Sequence, residues 1–84
     1  MEPEGRDKVI RDRLAAGVLP RADPRSVWVG YGSDRPCDGC VQPIRPAQRE
    51  YHADYGGTST LRFHAACYEV WNDARQHPGD RPPD

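Results

Sequence analysis

Cys37-Asp38-Gly39-Cys40 and His64-Ala65-Ala66-Cys67 together hold every cysteine of the chain, with 23 residues between the two motifs. Thiolates and imidazoles in pairs, each pair spanning two intervening residues, are the donors a tetrahedral zinc ion takes. A Cys3His set is a closed structural site with no coordination position left for water or substrate. Cys37, Cys40, His64 and Cys67 are therefore the expected ligands of one Zn²⁺. Fe²⁺ fits the same four donors, but sulfur-rich tetrahedral sites favour zinc. The competing reading makes the cysteines ordinary small buried residues, which leaves their confinement to one pattern without a cause. Of the other histidines, His52 falls mid-strand on a face expected to meet solvent, and His77 lies beyond the last helix beside Pro78.

These donors need a scaffold that brings distant residues together. Gly39 is expected to form the tight turn that aims both sulfurs of the first motif at one point. Pro43 and Pro46 keep residues 41–47 out of a helix. Residues 48–64 read as a β-hairpin around Gly56-Gly57, with Tyr51, Ala53 and Tyr55 on one strand face and Leu61 and Phe63 on one face of the next. A two-residue loop would place those faces on opposite sides of the sheet. A three-residue loop aligns them, either Gly56-Gly57-Thr58 with Tyr51 opposite Phe63 or Tyr55-Gly56-Gly57 with Tyr51 opposite Leu61. Residues 65–76 read as a helix whose inner face is Cys67, Val70, Trp71 and Ala74, ended by Pro78 and Gly79. His64 and Cys67 then lie on one side of its start, where the helix dipole favours a thiolate.

Upstream, residues 5–17 of an N-terminal segment 5–19 predict a short helix with the stripe Ile10, Leu14 and Val18, stopped by Gly17 and Pro20. So short a helix is marginal alone and must pack on the rest. Residues 20–36, punctuated by Pro20, Pro24, Gly30, Gly32 and Pro36, have connector composition, with Ser26 to Tyr31 as a possible extended piece. Trp28 is expected in the core or as a lid rather than as a ligand platform. Residues 77–84 read as a frayed tail.

Composition makes the metal necessary. Only 36% of the 84 residues are hydrophobic, 30% are charged, and there are 8 Gly and 9 Pro. A single domain this small gains a thin margin from its core and needs a staple. Three cysteines argue against a disulfide framework, and no apolar run suggests a signal peptide or a membrane span. A reducing cytoplasm is the expected compartment. Phe63, Leu61, Tyr51, Val70 and Trp71 are the expected core.

The stretch Cys37, Cys40, Ile44 and Phe63-His64-Ala65-Ala66-Cys67-Tyr68 resembles the treble-clef class of zinc fingers, and more narrowly the first half of a LIM domain. The resemblance covers about 32 residues and implies a small α+β domain of zinc knuckle, β-hairpin and C-terminal helix over residues 37–76, here with an added N-terminal helix. It departs at Val70, where a LIM domain has a cysteine for a second zinc, so one zinc is expected. It also implies a role in protein interaction. Small bacterial proteins of this type share the Arg-rich, Lys-poor composition.

Three functions compete. A non-catalytic protein-interaction or regulatory module, expected as a monomer, fits a closed site and the surplus aromatics Trp28, Tyr31, Tyr55, Tyr68 and Trp71. Nucleic-acid binding could use Arg45, Arg49 and Arg62 beside Arg6, Arg11 and Arg13. Against it, Asp7, Asp12, Glu50 and Asp54 are interleaved, and the net charge of −1 becomes about −2 with three thiolates and one Zn²⁺. An enzyme is not expected: a redox Cys-x-x-Cys needs a βαβ context, and no Ser/His/Asp set, phosphate loop or H-E-x-x-H is present.

Overall fold

The computed structural model describes residues 3–57 and 59–76. They form a small α+β domain in the order α1 (Pro3–Ala15), β1 (Ser26–Tyr31), β2 (Arg49–Asp54), β3 (Thr60–His64) and α2 (Ala65–Gln76). The three strands make one antiparallel sheet in the order β1-β2-β3. None of the described helices is long and apolar enough to cross a membrane. The expected tail 77–84 and His77 lie outside the described residues.

The hairpin has the first of the two predicted registers, with Tyr51 opposite Phe63 and Ala53 opposite Leu61. Gly56 and Gly57 take positive φ angles of 90° and 60°, and the Tyr55 N–H donates to the Ser59 carbonyl across the loop at 2.9 Å. Glycine adopts that backbone without the Cβ clash that any other residue would incur. Alternation then turns Ala53 and Phe63 into the core and leaves Glu50 and His52 on the opposite face.

Residues 20–36 are more than a connector. Ser26–Tyr31 pairs with β2 along its whole length, from Ser26↔Asp54 to Tyr31↔Arg49. Val27, Trp28, Val29 and Tyr31 are strand-forming residues that the flanking prolines and glycines mask in the sequence. The segment before β1 is also tied down. The Trp71 Nε1–H donates to the Pro20 carbonyl (3.1 Å), the Tyr55 hydroxyl to the Ala22 carbonyl (2.6 Å) and the Arg75 guanidinium to the Asp23 carboxylate (2.5 Å).

Helix α1 buries Ile10 and Leu14 as its stripe requires, but Val18 is 55% exposed and Leu19 takes its place at 1%. The helix stops at Ala15. Gly17 then turns left-handed at φ 81°, with Val18 N–H on the Arg13 carbonyl (2.9 Å) and Gly17 N–H on the Leu14 carbonyl (3.2 Å). This Schellman turn breaks the 3.6-residue period, so the next apolar residue, and not the periodic one, points inward.

The core joins both helices to the sheet. Phe63 and Trp71 are fully buried and stacked with ring centroids 4.9 Å apart. Tyr51, Leu61 and Val70, expected at the centre, are partly buried and pack around it. Ile44, Leu19 and Ile10 complete it.

The knuckle turn differs from expectation. Gly39 does not have positive φ; the left-handed residue is Val41, at φ 63°. Gly39 is required for space, since a Cβ there would sit 3.1 Å from Ile10 Cγ1 and 3.2 Å from Phe63 Cδ1. A β-branched residue in the left-handed region stores local strain of about 1–3 kcal/mol. Val41→Gly should therefore raise the stability of the metal-loaded protein by about 1 kcal/mol, after the entropy cost of glycine is subtracted. The midpoint of denaturant unfolding at fixed metal concentration measures it, and an unchanged or lower midpoint contradicts the strain. Gly32→Ala should act in the opposite sense, because its Cβ would overlap the backbone carbonyls of Ile44 and Arg45. A loss of about 3 kcal/mol is expected there.

Candidate metal centre

Cys37, Cys40, His64 and Cys67 come together from three elements, and their donor atoms all lie within 4.8 Å of one another. The three cysteines are free thiols and buried. This group can hold one metal ion.

The first pair is fixed by a narrow ladder. Pro36 bridges Pro43, the Cys37 N–H donates to the Gln42 carbonyl (2.8 Å) and the Val41 N–H to the Cys37 carbonyl (2.9 Å). Two further N–H groups, from Gly39 (3.3 Å) and Cys40 (3.5 Å), point at the Cys37 sulfur. The ladder is locked to β3 by Asp38. Its N–H donates to the Arg62 carbonyl (2.7 Å), and its carboxylate accepts the Arg62 N–H (2.7 Å). The Arg13 Nε–H from α1 donates to the Asp38 carbonyl at 3.0 Å. Burial holds the Asp38 carboxyl above its usual range, against the pull of the Arg62 N–H. Sequence reading passed over Asp38; its place between two ligands and its short polar side chain were the only signals.

The second pair is set by the junction of β3 and α2. His64 is the last residue of the strand and Cys67 lies in the first turn of the helix. His64 Nε2 lies 3.1 Å from the Pro43 carbonyl oxygen. A carbonyl only accepts, so the proton is on Nε2 and the Nδ1 lone pair is left for the cluster. Nδ1 lies 3.4 Å from the Cys40 sulfur and 3.7 Å from the Cys67 sulfur. Bond lengths of ~2.3 Å to sulfur and ~2.0–2.1 Å to nitrogen at a tetrahedral angle give a sulfur–nitrogen separation of about 3.6 Å. The observed pair of distances brackets that value, so the donors fit the geometry of such an ion.

His52 is outside this cluster, but it does not point to solvent as expected. Its side chain is only 12% exposed. Trp28 lies over it with ring centroids 4.0 Å apart, and its Nε2 is 2.5 Å from Glu50 Oε2. Trp28 is thus a cover over a polar group on the outer sheet face, itself 53% exposed, and not part of the core. Glu50 is 2% exposed and also takes Ser33 Oγ (3.2 Å) and Arg62 Nε (3.6 Å). Alternation made Glu50 look like a solvated residue, and nothing in the sequence marked it as buried.

The arginines do not form one stripe. Arg62 faces Glu50, Arg11 pairs with Asp7 (2.7 Å), and Arg13 holds the Asp38 carbonyl. Arg6, Arg45 and Arg49 instead line a cleft beside the cluster.

Electrostatics within the cluster are uneven. Cys37 is held ionised, its pKa drawn down to about 4, first by a hydrogen bond from the Cys67 thiol and then by the backbone N–H groups around its sulfur. The same bond drives the Cys67 thiol up, and burial drives Cys40 up. A thiolate ligand must be deprotonated, so metal entry at neutral pH should expel protons from the cysteines. Apparent affinity should then fall steeply as the medium is acidified below about pH 8. Calorimetric Zn²⁺ titration in two buffers of different ionisation enthalpy counts the protons. A count near zero contradicts thiolate ligation at this cluster. Comparison with protein families, curated proteins and solved structures gave no match to this chain.

Proposed function

We propose that the chain is a treble-clef-like structural zinc domain, akin to a single-zinc half of a LIM domain, that acts as a non-catalytic protein-interaction module. Zn²⁺ is held by Cys37, Cys40, His64 and Cys67. The observation that carries the zinc assignment is the Nδ1–sulfur geometry of His64, together with the Pro43 carbonyl that fixes its tautomer. Four protein donors leave no open position for water or substrate, which supports a structural and not a catalytic ion. Val70 packs against the core where a second zinc would need a cysteine.

The interaction role is supported by β1. The outer edge of β3 is occupied by the knuckle through Asp38. Among the described residues no strand lies beyond β1, and its Val27, Trp28, Val29 and Tyr31 are all exposed, Tyr31 at 73%. An open edge with apolar side chains is what an extended peptide needs in order to add a strand. Nucleic-acid binding has less support, because Arg11 and Arg62 face carboxylates and Arg13 holds the Asp38 carbonyl.

The test combines metal and edge. Native mass spectrometry should give one Zn²⁺ per chain, and EDTA should collapse the NMR dispersion, since such an ion contributes ~10–16 kcal/mol to folding. Cys67→Ser should lose the metal; a folded, fully metallated Cys67→Ser protein refutes the ligand set. The zinc-loaded double variant V27K/V29K should keep its metal and lose any partner that the wild type captures. Capture unaffected by that change refutes β1 as the binding edge.

A further inference from the structure

A cleft of about 530 Å³ opens beside the metal cluster, lined by Arg6 of α1, by Gln42, Pro43, Arg45 and Gln48 of the segment before β2, by Arg49 of β2, and by Cys40, His64, Ala65 and Ala66. Its size is that of a small-molecule site. Three arginines line it, and no acidic residue does. Arg6 has no acidic partner among the described residues. Arg49 has only the face of Tyr31, with its guanidinium 5.7 Å from the ring centroid, and Arg45 touches exposed Asp34 at 3.4 Å.

The floor of the cleft adds to this field. Helix α2 starts at Ala65, directly after the strand, with His64 in the capping position and no acidic residue in its first turn. Among the described residues no side chain caps its first N–H groups. Uncapped helix N–H groups attract oxyanions. The neighbouring Cys3His cluster, once loaded, leaves one negative charge against three guanidiniums, so the balance stays positive.

The geometry points to a binding site for a small phosphate-bearing molecule, with the phosphate held by Arg6, Arg45 and Arg49 over the start of α2. Planar guanidiniums give paired hydrogen bonds to phosphate oxygens, and Gln42 and Gln48 offer neutral donors and acceptors for the rest of the ligand. The site is distinct from the β1 edge and does not depend on that edge binding a partner.

The experiment is an NMR titration of the zinc-loaded, isotope-labelled chain with inorganic phosphate and then with adenosine monophosphate, with metal content checked in the same samples. The Ala65, Ala66 and Arg49 amides should shift together and saturate. Arg6→Gln and Arg49→Gln should each weaken binding about tenfold, with Arg49→Lys intermediate and the metal retained in all three. Arg21→Gln, an exposed arginine outside the cleft, should change nothing. No saturable shift by about 10 mM of either probe, or equal weakening by Arg21→Gln, overturns the proposal. A single-stranded oligonucleotide whose affinity grows with its length overturns it as well, since that behaviour belongs to a diffuse basic surface and not to one small cleft.

Discussion

Three sulfurs buried within 4.8 Å of one another cannot all be ionised unless a cation sits among them. The hydrogen bond from the Cys67 thiol draws the Cys37 pKa down and drives Cys67 up, while burial drives Cys40 up. The same arrangement with a dication becomes four inward-facing bonds joining the knuckle, the end of β3 and the start of α2. Most of the architecture can be read from that requirement. The Pro36–Pro43 ladder and the Asp38 bridge exist at the place where two ligands must be held against a third. Strain at Val41 is tolerated because the surrounding ladder over-determines the turn.

The sheet separates two kinds of interior. On one face Ala53 and Phe63 join Ile10, Leu19, Ile44 and Trp71 in an apolar core that both helices share. On the other, Glu50, His52 and Arg62 form a polar group under the Trp28 ring. A buried carboxylate is costly unless it is paired, and here it has a histidine, an arginine and a serine. Glu50 is opposite His64 in the sheet, so this group backs the strand position that presents a metal ligand.

Local chemistry made much of this legible in the sequence. Period-two alternation with two glycines left one workable family of registers, and the observed pairing of Tyr51 with Phe63 is one of them. The inner face of α2 and the stop at Gly17 follow from spacing and from glycine's freedom at positive φ. Long-range and compensated features were illegible. Whether Ser26–Tyr31 pairs with anything depends on where β2 ends up, and proline and glycine on both sides disguise it. Val41 gives no sign of a left-handed backbone, because the preference of its residue type is the opposite. Glu50 and His52 look solvated by alternation, and only the position of Trp28 reveals that they are covered. The exchange of Val18 for Leu19 turns on one turn of backbone, which hydrophobic period alone cannot see.

The elements differ in how many independent ties hold them. β2, β3, α2 and the knuckle are cross-linked by the sheet, the core and the metal cluster together. β1 is held by its pairing to β2, by Trp28 on His52 and by Arg49 over Tyr31, and α2 packs on β2 and β3 without reaching it. Local opening free energy follows the number of such ties, so β1 is the strand most easily exchanged for, or extended by, another chain. The edge proposed above to bind a peptide could adapt there without disturbing the four ligand positions. The arginine cleft is placed in the opposite way. Its floor is the start of α2 and the residues next to Cys40, so its shape is fixed by the same bonds that fix the metal. The rigidity of the cleft and the looser hold on β1 are therefore both consequences of where the chain places its four donor residues.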